Sequence, residues 1–144
     1  MTEDDTVKLL RECNSGIKMG VATIDDVLEK VEDKGLYQLL KDSKEEHSKL
    51  GDETHILLER LGDEGKEPHP VAKAMAHMKT TTVSSVDETD ERIADLVTDG
   101  CNMGIKTLCR GMNQFKNAGS GAKQACGRLV NLEDKLSSEL RLYL

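Results

Sequence analysis

Five side chains of the sequence have types and positions that could bind a metal ion. Two are the cysteines that open the near-identical stretches CNSGIK and CNMGIK, one is a histidine, and two are carboxylates. In chain order they are Cys13, Glu46, His47, Cys101 and Glu133. Mixed cysteine and histidine ligands suit zinc better than a pair of iron ions. One hypothesis is therefore an unusual metal site, with zinc or iron as the ion.

The same part of the sequence also fits a structural hypothesis. Asn14, Ser43 and His47 occupy positions that are otherwise apolar on two predicted helices, and Asn102 is the counterpart of Asn14 in the second stretch. Buried polar groups need hydrogen-bond partners, so we expect a polar network across the helices. A buried asparagine of this kind commonly fixes helix register. This hypothesis expects no cofactor and no catalytic residue.

The cysteines allow a third hypothesis, a thiol-based stress sensor. Cys13 and Cys101 lie on helices that we expect to be neighbours, where two sulfurs could come within disulfide range. A reactive thiol needs a nearby cation or a helix N-terminus, and Lys18 and Lys106 each lie more than one helical turn away. No Cys-x-x-Cys pair is present, so a zinc ribbon is not expected.

Composition narrows the class of protein. The 144 residues carry a formal net charge of −7, and the only aromatic residues are Tyr37, Phe115 and Tyr143. Binding to nucleic acid or to an anionic membrane surface is not expected, because both need clustered lysine and arginine. No run approaches 18 apolar residues and the N-terminus MTEDDTVKLL is acidic. We therefore expect no membrane span and no signal peptide, and a cytoplasmic protein.

The first half of the chain predicts two helices. Apolar residues recur at helical spacing over residues 5–34, and then again up to Gly62, which ends the second helix. Asp4 or Asp5 can cap the start of the first helix, and Gly35 is its predicted stop. The connection is very short, so the two helices must be antiparallel neighbours.

The second half predicts two more helices after a linker. Residues 62–70 contain both prolines and cannot continue a helix. A short amphipathic piece, AKAMAHMK, precedes a helix-weakening stretch that interrupts the third helix near 80–86. Ser85 opens a Ser-x-x-Glu capping box, so the helix is expected over about 86–117. After the loop NAGSGA, Ser120 is expected to cap a fourth helix that runs to the end.

These elements predict one all-α domain, residues 1–144, built as a ferritin-like four-helix bundle. A long crossover joins two helical hairpins, with one CNxGIK stretch on the first helix of each hairpin; a short-linked up-down bundle is the alternative. Gly16 and Gly20 are four residues apart, as are Gly100 and Gly104. Glycine destabilises a helix interior, so we expect these residues to let the first and third helices touch.

The sequence resembles an uncharacterised bacterial ferritin-like family, distantly related to rubrerythrins and ferritins. The resemblance rests on LLERLG at the end of the second helix, the proline-containing linker, AKAMAHMK, and DGCNMG in the third helix. It implies a di-iron site built from two glutamates and two Glu-x-x-His motifs. Here Lys44 stands three residues before His47, and the fourth helix has no histidine. Cys13 and Cys101 fall where the resemblance implies the two bridging glutamates.

We therefore expect a non-enzymatic bundle with a structural or partner-binding role that has lost the ancestral di-iron site. Its partner would be a second copy of the chain or another protein, bound through helix faces. A metal-binding relative with unusual ligands and a thiol-based sensor are the alternatives.

Overall fold

The computed structural model describes residues 2–62 and 89–144, over which the chain forms four long helices. They are α1 (Thr2–Leu28), α2 (Lys34–Arg60), α3 (Asp90–Gln114) and α4 (Ser120–Leu140), followed by a 3-10 helix at Arg141–Tyr143. The helices pack side by side, which confirms the predicted all-α four-helix bundle. Among the helices of these two ranges, none combines the length and the apolar character that a membrane crossing requires.

The first hairpin differs from its prediction in where α1 ends. α1 stops at Leu28, and Gly35 lies in the first turn of α2 instead of ending α1. The physical reason is Asp33, whose side chain accepts a hydrogen bond from the backbone N–H of Leu36 at 2.9 Å and so caps α2. Asp4 and Asp5 lie inside α1, so the prediction that one of them caps it is wrong.

The second hairpin also has its own caps. Thr89 caps α3 by accepting a hydrogen bond from the backbone N–H of Arg92 at 3.2 Å. Ser120 is the first residue of α4 and not its cap; the N-cap is Gly119, whose N–H donates to the Thr6 hydroxyl at 2.8 Å. The predicted Ser85 capping box, the AKAMAHMK piece and the interruption near 80–86 lie outside the described residues.

The direction of the helices requires a crossover between the two hairpins. Asp90, the first residue of α3, accepts hydrogen bonds from the backbone N–H groups of Glu32 and Asp33, each at 2.9 Å. α2 and α3 therefore start at the same end of the bundle and run in the same direction. α2 ends at the opposite end, so its last residue and Asp90 are separated by the length of the bundle. This placement agrees with the predicted order of two hairpins.

The core consists of two apolar clusters, one toward each end of the bundle. The cluster around Cys13 contains Leu9, Leu10, Cys13, Ile17, Leu50, Leu58, Leu108, Ala118, Ala122, Ala125, Cys126 and Leu129. The cluster around Cys101 contains Ile24, Val27, Leu36, Leu40, Ile93, Ala94, Val97, Cys101, Leu136 and Leu140. Along α2 and α4 the two clusters are separated by His47 and Glu133, which form a polar layer at mid-bundle.

Candidate functional site

The polar layer is centred on an ion pair between α2 and α4. The Nε2 atom of His47 lies 2.9 Å from Oε1 of Glu133, and the two side chains are 1% and 9% exposed. Glu133 lies between Leu129 and Leu136, where residues spaced by three and four place it on the buried face of α4. That spacing identifies Glu133 as an inward-facing charge.

Both ring nitrogens of His47 lie within hydrogen-bond distance of a protein oxygen. Nδ1 lies 2.7 Å from the carbonyl oxygen of Ser43, which can only accept a hydrogen bond. Burial lowers the pKa of His47, but the hydrogen bond and charge of Glu133, the Ser43 carbonyl and the charge of Glu46 outweigh it, so that the pKa is raised overall. The raised pKa favours the imidazolium, the form in which His47 donates both to the Ser43 carbonyl and to the Glu133 carboxylate.

Cys101 contributes a neutral thiol to the same layer. Burial, followed by the charge and hydrogen bonding of Glu133, raises the pKa of Cys101 far above its ordinary value. A thiol in this state is a poor nucleophile and a poor metal ligand, since both roles need the thiolate. Cys101 can donate a weak S–H hydrogen bond to Glu133 and fills space beside it.

Cys13 lies elsewhere, in the other apolar cluster, and its neighbour is a third cysteine. Hydrogen bonding to Cys126, burial and the charge of Cys126 raise the pKa of Cys13, against a lowering influence from Arg128. Cys126 in turn donates weakly to the Leu9 carbonyl, with 3.8 Å between sulfur and oxygen. All four cysteines are free thiols. The structure therefore does not bring Cys13 and Cys101 together, and the pairing of Cys13 with Cys126 had no signal in the sequence.

The two asparagines of the repeated stretch also differ. Asn14 is buried and its side-chain oxygen accepts a hydrogen bond from the Thr54 hydroxyl at 3.3 Å, as expected for a polar network. Asn102 is exposed, so the prediction that it mirrors Asn14 in the core is wrong. The reason is the packing, because α1 contacts α2, α3 and α4, whereas α3 packs mainly against α1 and α4 and buries a narrower face.

A cleft of about 50 Å³ opens above the polar layer, between α1 and α3. Its lining includes the four paired glycines Gly16, Gly20, Gly100 and Gly104, together with Cys101, His47 and Glu133. α1 and α3 contact each other as expected, but the side chains nearest to these glycines belong to α2 and α4. A Cβ added at Gly20 would lie 3.1 Å from the His47 ring, and one at Gly16 would lie 3.3 Å from Leu129. One added at Gly100 would meet no atom within 4 Å.

The residues present do not fit a di-iron centre. Of the five predicted ligands, the structure brings together Cys101, His47 and Glu133, while Cys13 lies in the other cluster and Glu46 faces Lys135 at 3.6 Å. Within residues 2–62 and 89–144, no three His, Cys, Asp or Glu side chains are arranged to hold a metal ion. Both nitrogens of His47 already face protein oxygens, and burial and Glu133 raise the pKa of Cys101, which favours its protonated thiol.

Comparison with known proteins identifies no relative of this chain. No family model, no curated protein and no solved structure matches the chain.

Proposed function

We propose that the protein is a non-enzymatic four-helix bundle of the ferritin-like kind, in which an internal ion pair has replaced an ancestral di-iron site, and that it acts by binding. The observation that carries this proposal is the state of His47. Both of its N–H groups are used within the chain, at 2.7 Å to Ser43 and 2.9 Å to Glu133. A metal ion would have to displace one of these bonds and remove a proton from a buried imidazolium.

The position of the pair supports the proposal. In bundles of this class, cofactor sites lie in the core and are formed by side chains from facing helices. His47 and Glu133 come from α2 and α4 and lie between the two apolar clusters. A buried histidine–carboxylate pair there satisfies the polar groups of the layer without an external ion.

The chemistry of the layer favours binding over catalysis. General base catalysis needs a free lone pair, and nucleophilic catalysis by cysteine needs a thiolate. Both nitrogens of His47 are held by protein oxygens and its pKa is raised, and the raised pKa of Cys101 favours the neutral thiol. Free thiols at all four cysteines also support a reducing, cytoplasmic location. The partner expected from the sequence is a second copy of the chain or another protein.

Metal analysis tests the proposal. The full chain, purified without a histidine tag and then incubated with Fe²⁺, Mn²⁺ or Zn²⁺ and desalted, is expected to retain no near-stoichiometric metal. Its melting temperature is expected to be unchanged by a chelator. Near-stoichiometric metal that is lost in His47→Ala but kept in His55→Ala would overturn the proposal. His55 is the matched control, because it lies on the same helix but is half exposed and bonded to Glu59.

A further inference from the structure

The thiols of Cys13 and Cys126 lie against each other in the core, between α1 and α4. We propose that they form a redox site, in which oxidation by a peroxide joins the two sulfurs in a disulfide that links α1 to α4. This inference goes beyond the binding role proposed above and does not depend on it. It also differs from the sensor that the sequence suggested, because Cys101 is not a member of the pair.

Two contacts bring the sulfurs together. The Cys13 and Cys126 side chains are hydrogen-bonded to each other, and both are fully buried in one cluster. The Cys126 sulfur also lies 3.8 Å from the carbonyl oxygen of Leu9. Leu9 precedes Cys13 by about one helical turn, and a helical side chain leans over the turn that precedes it. Both sulfurs therefore lie over the same turn of α1.

The packing of α1 against α4 holds the two cysteines close. A disulfide forms only between cysteines whose backbones approach each other closely. On α4, small residues next to Cys126 face the cluster, namely Ala122 and Ala125. At the start of α4, the N–H of Gly119 donates to the hydroxyl of Thr6 on α1 at 2.8 Å. The small side chains and this hydrogen bond keep the two helices together at the end of the bundle that contains both thiols.

The surroundings of the pair favour a product without charge. The cluster is otherwise built from apolar side chains, and the hydrogen bond to Cys126 and burial raise the pKa of Cys13. Arg128 lowers that pKa with the smallest of the four influences, and its side chain is exposed and paired with Glu53. A disulfide is neutral, whereas a metal thiolate or a sulfinate would bring charge into the cluster.

The proposed reaction is a two-electron oxidation by hydrogen peroxide. One thiol loses its proton, its sulfur attacks a peroxide oxygen, and the O–O bond breaks to give a sulfenic acid and water. The second sulfur attacks the sulfenic sulfur, so that the S–S bond forms, the S–O bond breaks and a second water leaves. Because both thiols are buried, the reaction requires a local opening of the bundle and is slower than oxidation of an exposed thiol.

Peptide mapping of the oxidised full chain tests the proposal. The Cys109→Ser variant, which lacks the exposed thiol, is incubated with hydrogen peroxide, alkylated in denaturant and digested with trypsin without reduction. Cleavage after lysine and arginine places the three remaining cysteines in separate peptides, 12–18, 93–106 and 124–128. The expected product is a linked pair of 12–18 and 124–128, lighter than the two thiol peptides by two hydrogens, which dithiothreitol separates.

Cys101 is the matched control within the same chain, because it is also buried but lies beside Glu133 and not beside a thiol. Its peptide is expected to remain unlinked and to be alkylated. If prolonged peroxide treatment gives no linked pair, or if Cys101 is linked as readily as Cys13, the proposal is overturned. Loss of the Cys13 and Cys126 thiols as unlinked oxidised peptides also overturns it.

Thermal unfolding distinguishes a bridge in the folded bundle from one that forms only after unfolding. The linked chain is expected to melt about 5–10 °C higher than the reduced chain, because the bridge closes a loop that spans most of the sequence. Cys126→Ser in the same background, treated in parallel, should show neither the linked pair nor the higher melting temperature. A linked chain that melts below the reduced chain would show that the folded bundle does not accommodate the bridge, and would overturn the proposal.

Discussion

The two CNxGIK stretches have nearly the same residues but opposite surroundings. In α1, Cys13 lies against the thiol of Cys126 in an apolar cluster, while in α3, Cys101 lies beside the carboxylate of Glu133. Asn14 is buried and bonded to Thr54, whereas Asn102 is exposed. The same residue types therefore belong to a dry core in one copy and to a polar layer in the other.

This difference shows that the neighbouring helices, and not the repeated stretch, decide the chemistry. Cys126 and Glu133 are seven residues apart on α4, two helical turns along the same buried face. Cys126 presents a sulfur atom to the repeated stretch of α1, whereas Glu133 presents a carboxylate charge to the repeated stretch of α3. A hairpin duplication would give equal starting surroundings, but α1 packs against three helices and α3 mainly against two. Substitutions that equalise or exchange the two surroundings test this comparison.

The largest effect is expected from removing one member of the His47–Glu133 ion pair, which lies beside Cys101 and has no counterpart beside Cys13. His47→Leu leaves the buried Glu133 carboxylate without its partner, which should lower the free energy of unfolding by about 3–5 kcal/mol. The double variant His47→Leu/Glu133→Leu should recover most of that loss, because an apolar pair of similar volume needs no hydrogen bonds. Urea unfolding followed by circular dichroism measures both. A double variant no more stable than the single one would contradict the paired role.

A smaller effect is expected from serine at the two cysteines. Cys13→Ser places a hydroxyl in the apolar cluster, which should lower the free energy of unfolding by about 1–3 kcal/mol. Cys101→Ser should cost clearly less, since its hydroxyl can donate to the Glu133 carboxylate. The same urea unfolding measurement compares the two variants, with Cys109→Ser as the control at an exposed thiol. Equal losses at Cys13 and Cys101 would mean that Glu133 does not distinguish the two sites.

The asparagines give a still smaller difference. Asn14→Ala removes a buried hydrogen bond to Thr54 and should lower the free energy of unfolding by about 1 kcal/mol relative to Asn102→Ala. Asn102 is exposed, so its replacement by alanine should change stability by less than about 0.5 kcal/mol. Thermal unfolding of the two single variants is sufficient for the comparison. If Asn102→Ala destabilises the protein more than Asn14→Ala does, the conclusion that Asn102 is exposed is wrong.

Helical periodicity carried most of the fold prediction. On α2, Ser43 and His47 are buried among Leu36, Leu40 and Leu50, as their helical spacing predicted. Toward the end of the helix the buried residue is Leu58, while Leu57, which continues the predicted spacing, is only half-buried and Leu61 is exposed. The boundary between α1 and α2 was wrong, because Gly35 was taken as a stop while the side-chain cap at Asp33 decides where α2 begins. Periodicity identifies the face of a helix, whereas the caps that set its ends depend on individual side chains.

The candidate site could be predicted only in part. His47 and Glu133 were both named as possible ligands, and Ser43 was placed beside His47. The sequence alone could not predict that His47 and Glu133 form an ion pair with each other. The pair depends on how α2 and α4 align, and the two residues are 86 positions apart in the chain. The cleft was missed for a related reason. Two glycine pairs at the same spacing look alike in sequence, but one accommodates His47 and Leu129 and the other leaves open space.

The smallest effect is expected from pH, which should act on the polar layer and not on the Cys13 cluster. The pKa of His47 is raised in the folded chain above its ordinary value of about 6.5. Below that ordinary value the imidazolium is present in both states and its stabilising contribution is complete. As the pH rises through the raised folded value the contribution is lost, because the folded state binds more protons than the unfolded state.

Urea midpoints measured from about pH 5 to about pH 9 should therefore fall more steeply for the wild type than for His47→Leu/Glu133→Leu. The effect is smaller than that of His47→Leu, since only a proton leaves and the ring keeps its packing. His55→Ala should keep the wild-type slope, as His55 is half exposed and lies outside the layer. A double variant with the wild-type slope would show that the pH dependence arises elsewhere. If the urea midpoint no longer falls with pH, the Cys101 half and the Cys13 half of the bundle respond alike to a change of pH.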